Sequence, residues 1–217
     1  MLDLGVQHPS LVDRLILHVF NRIATGQWAG GQRLTEDELA RDFGVSRTPV
    51  REAVRRMSQI GLLVVHPRHR AALEVASVTP ADLEQISQLR ASLECMAMGL
   101  AMKRMKPADL AHLRELVDRC EKLLADLSDD TRGAIFTADS RFHLAIAALS
   151  GNRYLEETLR RLDVQVLLCR MLLCRPAHKI RKSVRFHRRI LAAMAAGDAA
   201  AAEQLMRQHI TRTLAKS

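Results

Sequence analysis

The chain has 217 residues, 48% of them apolar and 26% charged, which fits one large or two small globular domains and excludes wholesale disorder. No apolar run approaches the roughly 18 residues of a membrane span. Asp13, Arg14 and His18 break the stretch Leu11–Phe20, so it is no signal-peptide core. Cys95, Cys120, Cys169 and Cys174 form no CxxC pair or disulfide framework, so reduced thiols in a cytoplasm are expected.

In chain order, Leu11, Leu15, Val19 and Ile23 recur at helical spacing and predict an amphipathic helix that stops near Gly26. A Gly-rich loop follows, with Trp28 as its hydrophobic plug. Thr35 with Glu38 forms a capping box for a short helix that carries Leu39, Ala40 and Phe43 and ends at Gly44. Ser46 is the expected cap of the next helix, from Arg47 to about Ile60, with Pro49 in its first turn, where a missing N–H costs little. After Gly61 the period becomes extended: the runs 62–66 and 71–75 predict a hairpin around Pro67–Arg70. Helix, helix, turn, helix, hairpin is the order of a winged helix.

From Thr79 onward only helical patterns remain. Helices are expected at about 80–103, 107–128, 131–150, 153–175, 177–196 and 198–215, punctuated by Gly151-Asn152, Pro176 and Gly197-Asp198. The expected architecture is mainly α: a winged helix-turn-helix over residues 1–77, then an antiparallel bundle of about six helices over 78–217.

The net charge of +9 points to a polyanionic partner, but it does not locate the contact. Residues 1–77 hold ten Arg against eight acids, and the larger excess falls in 78–217. Seven aromatics in the whole chain argue against a single-strand binder that stacks bases. The helix-turn-helix marks decide instead. Ala40 permits close helix approach, Gly44 can take the positive φ of the turn, and Val45 and Val50 fill the angle. The second helix presents Arg47, Thr48, Arg51, Arg55 and Arg56 with Glu52 as its only acid, so few partners are expected for these charges. Arg47 and Arg51 share a face at the N-terminal end, where guanidinium forks match guanine O6 and N7 or clasp phosphates.

Leu34-Thr-Glu-Asp-Glu-Leu-Ala40 and Phe43-Gly-Val-Ser-Arg-Thr-Pro-Val-Arg-Glu-Ala53 resemble the GntR family of bacterial transcription regulators. The resemblance implies a homodimer on a palindromic double-stranded DNA operator. Arg47 and Arg51 would lead the contacts, with Ser46, Thr48 and Arg55 beside them and the wing tip Arg68, His69 and Arg70 in the minor groove. The chain departs from the family in lacking a wing-tip Gly near Ala71 and in placing Asp37, not a base, before Glu38.

In the bundle, Asp139 and His143 stand at i,i+4 and share a helical face. His187 lies ten residues before Gly197 and His209 twelve after it, which puts both roughly 15–18 Å from that turn on neighbouring antiparallel helices. Val184, Leu191, Leu205 and Met206 point these faces inward. Together the four could make a three-His, one-carboxylate site suited to zinc first, or to nickel or manganese. Asp139-Ser-Arg-Phe-His143, Leu149-Ser-Gly-Asn152, His187-Arg-Arg-Ile190, Met206-Arg-Gln-His209 and Arg90-Ala-Ser-Leu-Glu94 resemble the FCD effector domain of the FadR subfamily. The resemblance implies that Asp139, His143, His187 and His209 bind a metal whose open positions accept a small organic acid. Phe186 stands where family members often place a Glu before the His, here His187.

Between Arg170 and Arg189 lie eight basic residues and no acid. They read either as a solvated face, or as a source, with Arg90, of cations for an effector carboxylate. Arg185 is expected to face outward, because Val184 and His187 claim the inner face. The expected function is a ligand-responsive regulator, in most such cases a repressor. The alternatives are a constitutive DNA-binding dimer with a structural metal, and a metallohydrolase fused to a DNA-binding module. The last is disfavoured because HExxH is absent and no acid stands at helical spacing near Asp139 or His143 to act as general base.

Overall fold

A computed structural model describes residues 10–66, 72–173 and 177–212. Its elements run α1 (Leu11–Ala24), β1 (Arg33–Thr35), α2 (Glu36–Phe43), α3 (Arg47–Gln59), β2 (Leu63–Val65), β3 (Ala72–Val75), α4 (Pro80–Met102), α5 (Pro107–Ala125), α6 (Asp129–Leu149), α7 (Arg153–Leu173), α8 (Ala177–Ala195) and α9 (Ala199–Arg212). The mainly α architecture expected from the periodicity is the one observed. The wing-tip residues Arg68, His69 and Arg70 lie outside the described residues.

Local chemistry accounts for most boundaries. Thr35 Oγ1 accepts from Glu38 N at 3.1 Å and Glu38 Oε2 accepts from Thr35 N at 2.7 Å, the reciprocal box that starts α2. Gly44 ends α2 at φ 62°, a left-handed conformation that costs a residue with a Cβ about 1–2 kcal/mol. Ser46 precedes α3 as expected but makes no side-chain cap bond. The capping hydroxyl of an N-cap accepts from the second or third helical N–H, and the third position here is Pro49, which has none.

The sheet has three antiparallel strands in the order β1-β3-β2, one more than the hairpin read from the sequence. The added strand pairs Arg33 with Glu74, Leu34 with Leu73 and Thr35 with Ala72. Three residues carry too short an alternation to announce a strand, and the pairing is supplied by β3. Leu34 faces the core and is buried, as is Trp28 in the preceding loop.

One apolar core joins the N-terminal elements to the bundle. Phe20 and Ile23 of α1, Val54 and Met57 of α3 and the sheet residues pack in a single cluster with Ile135 and Phe136 of α6, Leu167 and Met171 of α7 and Val184 of α8. Gly133 permits the approach of α1 to α6, since a Cβ there would come within 3.1 Å of the Ala24 side chain. A second cluster, with Met98, Val117, Phe142, Ile146, Ile190 and Met206, fills the far half of the bundle between α4, α5, α6, α8 and α9. α6 therefore runs from the first core to the second, and its middle carries the polar residues described next.

Candidate functional site

Asp139 and His143 on α6, His187 on α8 and His209 on α9 converge on one point. All four are buried, Asp139 and His187 at 0% exposure. The i,i+4 spacing aligns the first two, and the α8–α9 hairpin brings the other two level. The three imidazole Nε2 atoms form a triangle with sides of 3.1 Å (143–209), 3.2 Å (187–209) and 3.3 Å (143–187). Asp139 lies 3.6 Å from His143 Nε2 and 3.5 Å from His187 Nε2.

Three neutral imidazoles cannot satisfy such a triangle with hydrogen bonds. Each Nε2 carries either one proton or one lone pair, so at least one side sets like against like. A shared cation resolves all three sides. Nitrogen ligands about 2.0–2.1 Å from a metal sit about 2.9 Å apart at octahedral corners and about 3.4 Å apart at tetrahedral ones, a range that brackets the observed sides. The donor set thus fits a divalent transition ion: three borderline nitrogens and one hard oxygen.

The surroundings prepare the donors. Glu94 Oε2 lies 2.5 Å from His143 Nδ1 and, as a carboxylate, accepts a hydrogen bond from Nδ1–H, which directs Nε2 to the triangle. Burial would push the Glu94 carboxyl up, but Arg90 and His143 outweigh it and hold the group at about 2. Burial likewise opposes ionisation of Asp139, yet Arg170, whose Nη1 donates to Oδ2, keeps it well below the carboxylate range. Burial drives His187 down to about 3 and His209 well below its ordinary value, so both rings are neutral. Among the described residues, His187 Nδ1 has no hydrogen-bond partner.

Arg90, the residue proposed from sequence for an effector, is buried on α4 and donates through Nε to Glu94. It lines a narrow cavity with Glu94, His143 and Asp163, beside the metal-ligand triangle. The free interior is only about the size of one water molecule. Asp163 Oδ1 accepts from Ser140 Oγ at 2.6 Å, and burial raises the Asp163 pKa against that bond.

Three expectations need correction or addition. Glu94 and Asp163 stand beside His143 although neither is at helical spacing from it, because α4 and α7 pack against α6. Glu94 has its two oxygens on Arg90 and His143, so it orients a ligand and is not free to act as a base. Arg170 does not belong with a solvated run: it reaches inward to Asp139 and lies over the Phe136 ring. Of its neighbours in sequence, Arg181 and Lys182 are exposed, Arg188 pairs with Asp118 and Glu121 of α5, and Arg185 faces outward as its spacing required. Phe186 packs its ring 5.9 Å from that of His209.

On the opposite end of the molecule, α3 projects Arg47, Thr48, Arg51 and Arg55, all exposed, with Ser46 at their head. The expectation that these arginines lack acidic partners is wrong. Arg47 pairs with Asp37 at 2.8 Å and Arg51 with Glu36 at 3.1 Å, both supplied by α2 across the turn, while Arg55 and Arg56 share Glu52 at 2.9 Å. Asp37, the departure from the family pattern, is thus the partner of Arg47. Exposed pairs of this kind are worth about 0–1 kcal/mol, so they hold the side chains in place without preventing their transfer to a phosphate or base.

Comparison with known proteins follows these two regions. Residues 11–72 match the gntR family of bacterial regulatory proteins, and residues 85–212 match the FCD domain. The chain belongs to the GntR family and carries an FCD domain. It is 30% identical to the uncharacterized HTH-type transcriptional regulator YdhC of Bacillus subtilis over 86% of this chain and 82% of that protein. It is 33% identical to the HTH-type transcriptional regulator McbR of Escherichia coli, over 74% and 71% respectively. The solved E. coli McbR/YncC structure superposes with a TM-score of 0.73 at 26% identity, covering 94% of each chain. A putative GntR regulator from Rhodococcus sp. RHA1 gives 0.75 at 25% identity, covering 94% and 95%. These relatives are transcriptional regulators rather than enzymes, and the chain is a DNA-binding transcriptional regulator of the same family. None of its described helices is long and apolar enough to cross a membrane.

Two outcomes check the buried site. Protein reconstituted with zinc, nickel or manganese and then dialysed should retain about one equivalent per chain by elemental analysis. A His187→Ala, His209→Ala double variant should retain none, and retention in the variant would remove the assignment. In the metal-free protein, the unfolded chain binds protons below about pH 6.5 that the buried rings of His187 and His209 do not. Stability to urea should therefore fall between about pH 6.5 and 5, by up to about 1.4 kcal/mol per pH unit for each ring. His187→Gln should flatten that slope.

Proposed function

We propose that the protein is a repressor whose operator affinity is controlled by a small organic acid bound beside a divalent metal ion in the helical domain. Residues 1–77 form the DNA-reading unit, and residues 78–217 form the effector-binding and dimerisation unit. The observation that carries the reading is the convergence of four inward donors next to a cavity lined by Arg90, on helices that also pack against the DNA-reading elements.

Asp139, His143, His187 and His209 would hold the ion, zinc in the first place, with nickel or manganese as alternatives. When bound, it supplies a positive charge with coordination positions open to a carboxylate. Arg90 adds a guanidinium at the same cavity, and Glu94 keeps His143 in the ligating tautomer. The surrounding Leu and Val side chains exclude water.

The cavity as it stands is too small for an organic acid, so binding requires α7 to shift relative to α4. α7 is also packed against the reading unit: Leu167 and Met171 share the core with α1, and Leu172 lies against the loop at Gly30. α6 carries Asp139 and His143 and touches α1 one turn earlier. An acid that binds better to the shifted arrangement moves the population toward it and changes how two α3 helices are presented to a palindrome. At the DNA, Arg47 and Arg51 exchange Asp37 and Glu36 for bases or phosphates. Ser46 brings a hydroxyl that its own helix does not use, with Thr48 and Arg55 alongside, and Arg68, His69 and Arg70 supply the wing.

The test is operator affinity measured by fluorescence anisotropy, on a palindromic site selected by the metal-loaded protein from random DNA. A responsive carboxylate should weaken binding by about 5–150-fold, and metal removal should abolish the response. Affinity that ignores every carboxylate and the metal would leave a constitutive DNA-binding dimer with a structural metal instead. On the same site, Arg51→Ala should cost about 1–3 kcal/mol of binding if it reads a base, and should do so without altering metal uptake.

A further inference from the structure

Arg90 and Asp163 line one cavity with opposite charges, yet no ion pair joins them. Each is held by a neighbour on its own side. Arg90 Nε turns to Glu94 one helical turn along α4, while Asp163 Oδ1 accepts from Ser140 Oγ of α6 at 2.6 Å. The other Asp163 oxygen has no hydrogen-bond donor among the described residues. The rest of the wall, beside Glu94 and His143, is aliphatic: Leu144 from α6, and Leu159, Leu162 and Val166 from α7.

A cation and an anion that line one largely apolar cavity without pairing complement a ligand that carries both an acceptor and a donor. We infer that Asp163 selects the effector: the site takes a short organic acid that bears a hydroxyl or ammonium donor in addition to its carboxylate. The carboxylate lies toward Arg90 and His143, the donor lies on Asp163, and the hydrocarbon between them lies on the leucines and valine. This rests on the effector reading above and adds a second polar group to it. A plain aliphatic acid would seal Asp163 away from water with an oxygen unpaired, which is why the site discriminates against it.

Isothermal titration of the zinc-loaded full-length protein with butanoate and with its monohydroxy and monoamino derivatives tests the assignment. At least one derivative should bind about tenfold tighter than butanoate, the value of about 1.4 kcal/mol for one satisfied polar group. Asp163→Leu should erase that preference by weakening the derivative, with zinc content and helical circular dichroism unchanged. Asp163→Asn separates the two donors, since it keeps an acceptor for a hydroxyl but loses the charge that an ammonium requires. Preference that survives in this variant identifies a hydroxy acid, and preference lost identifies an amino acid. Butanoate binding as tightly as every derivative, or a preference that outlives Asp163→Leu, overturns the role of Asp163 while leaving the effector site in place. Zinc bound but no member of the series bound overturns the effector reading itself, and the role of Asp163 with it.

Discussion

The triangle of buried imidazole nitrogens, with sides of 3.1–3.3 Å, is the constraint on which the helical half of the molecule is built. Burying polar rings without full hydrogen bonding costs free energy, and a folded chain tolerates the cost where the arrangement has a use. The two carboxylates nearest the triangle are compensated. Asp139 faces Arg170, and Glu94 faces Arg90 and orients His143. The three Nε2 atoms that face one another form a donor set that a shared cation would satisfy.

The triangle sits on helices that also pack against the N-terminal elements, which is what the proposed coupling between them requires. α6 carries Phe136 into the core shared with α1, then Asp139 and His143 into the triangle, then Ile146 into the second core. α7 alternates in the same way, with Asp163 at the cavity, Leu167 in the shared core, Arg170 on Asp139 and Met171 in the core again. Close-packed interiors do not deform continuously, so a small displacement of either helix at the site must be answered by repacking against α1. No separate linkage is needed, because the same two rods have one end in each place.

Much of this was legible in the sequence because its causes are local. The Thr35–Glu38 box, the Gly44 turn and the i,i+4 relation of Asp139 to His143 depend on residues within one turn of each other. The level placement of His187 and His209 followed from counting along one hairpin. What escaped was set by contacts between distant segments. β1 exists through its pairing with β3, and Glu94 reaches His143 across 49 residues of sequence. The acids that hold Arg47 and Arg51 come from a neighbouring helix, so composition along α3 alone could not reveal them. The inward turn of Arg170 was left open for a related reason: charge runs describe a stretch of chain, whereas burial is decided by each residue's angular position on its helix. The missing Ser46 cap bond could have been foreseen, since Pro49 three residues later removes the donor.

The charge balance of the buried site also bears on what it can accept. Asp139 and Glu94 are each matched by an arginine, so the two carboxylates nearest the triangle are already neutralised before any ion is added. His187 and His209, whose burial holds them neutral, contribute no charge. A divalent ion held by this set keeps most of its own charge in a medium where charge is costly to isolate, and Asp163, at the cavity edge, offsets at most one unit. On the function proposed above, the interior is short of negative charge once the donors are used, and an organic anion entering from the cavity would supply it. On that same proposal, Arg170 and Arg90, which cancel the carboxylates that would otherwise satisfy an ion, are what would make the site a receptor for an acid rather than a closed structural centre.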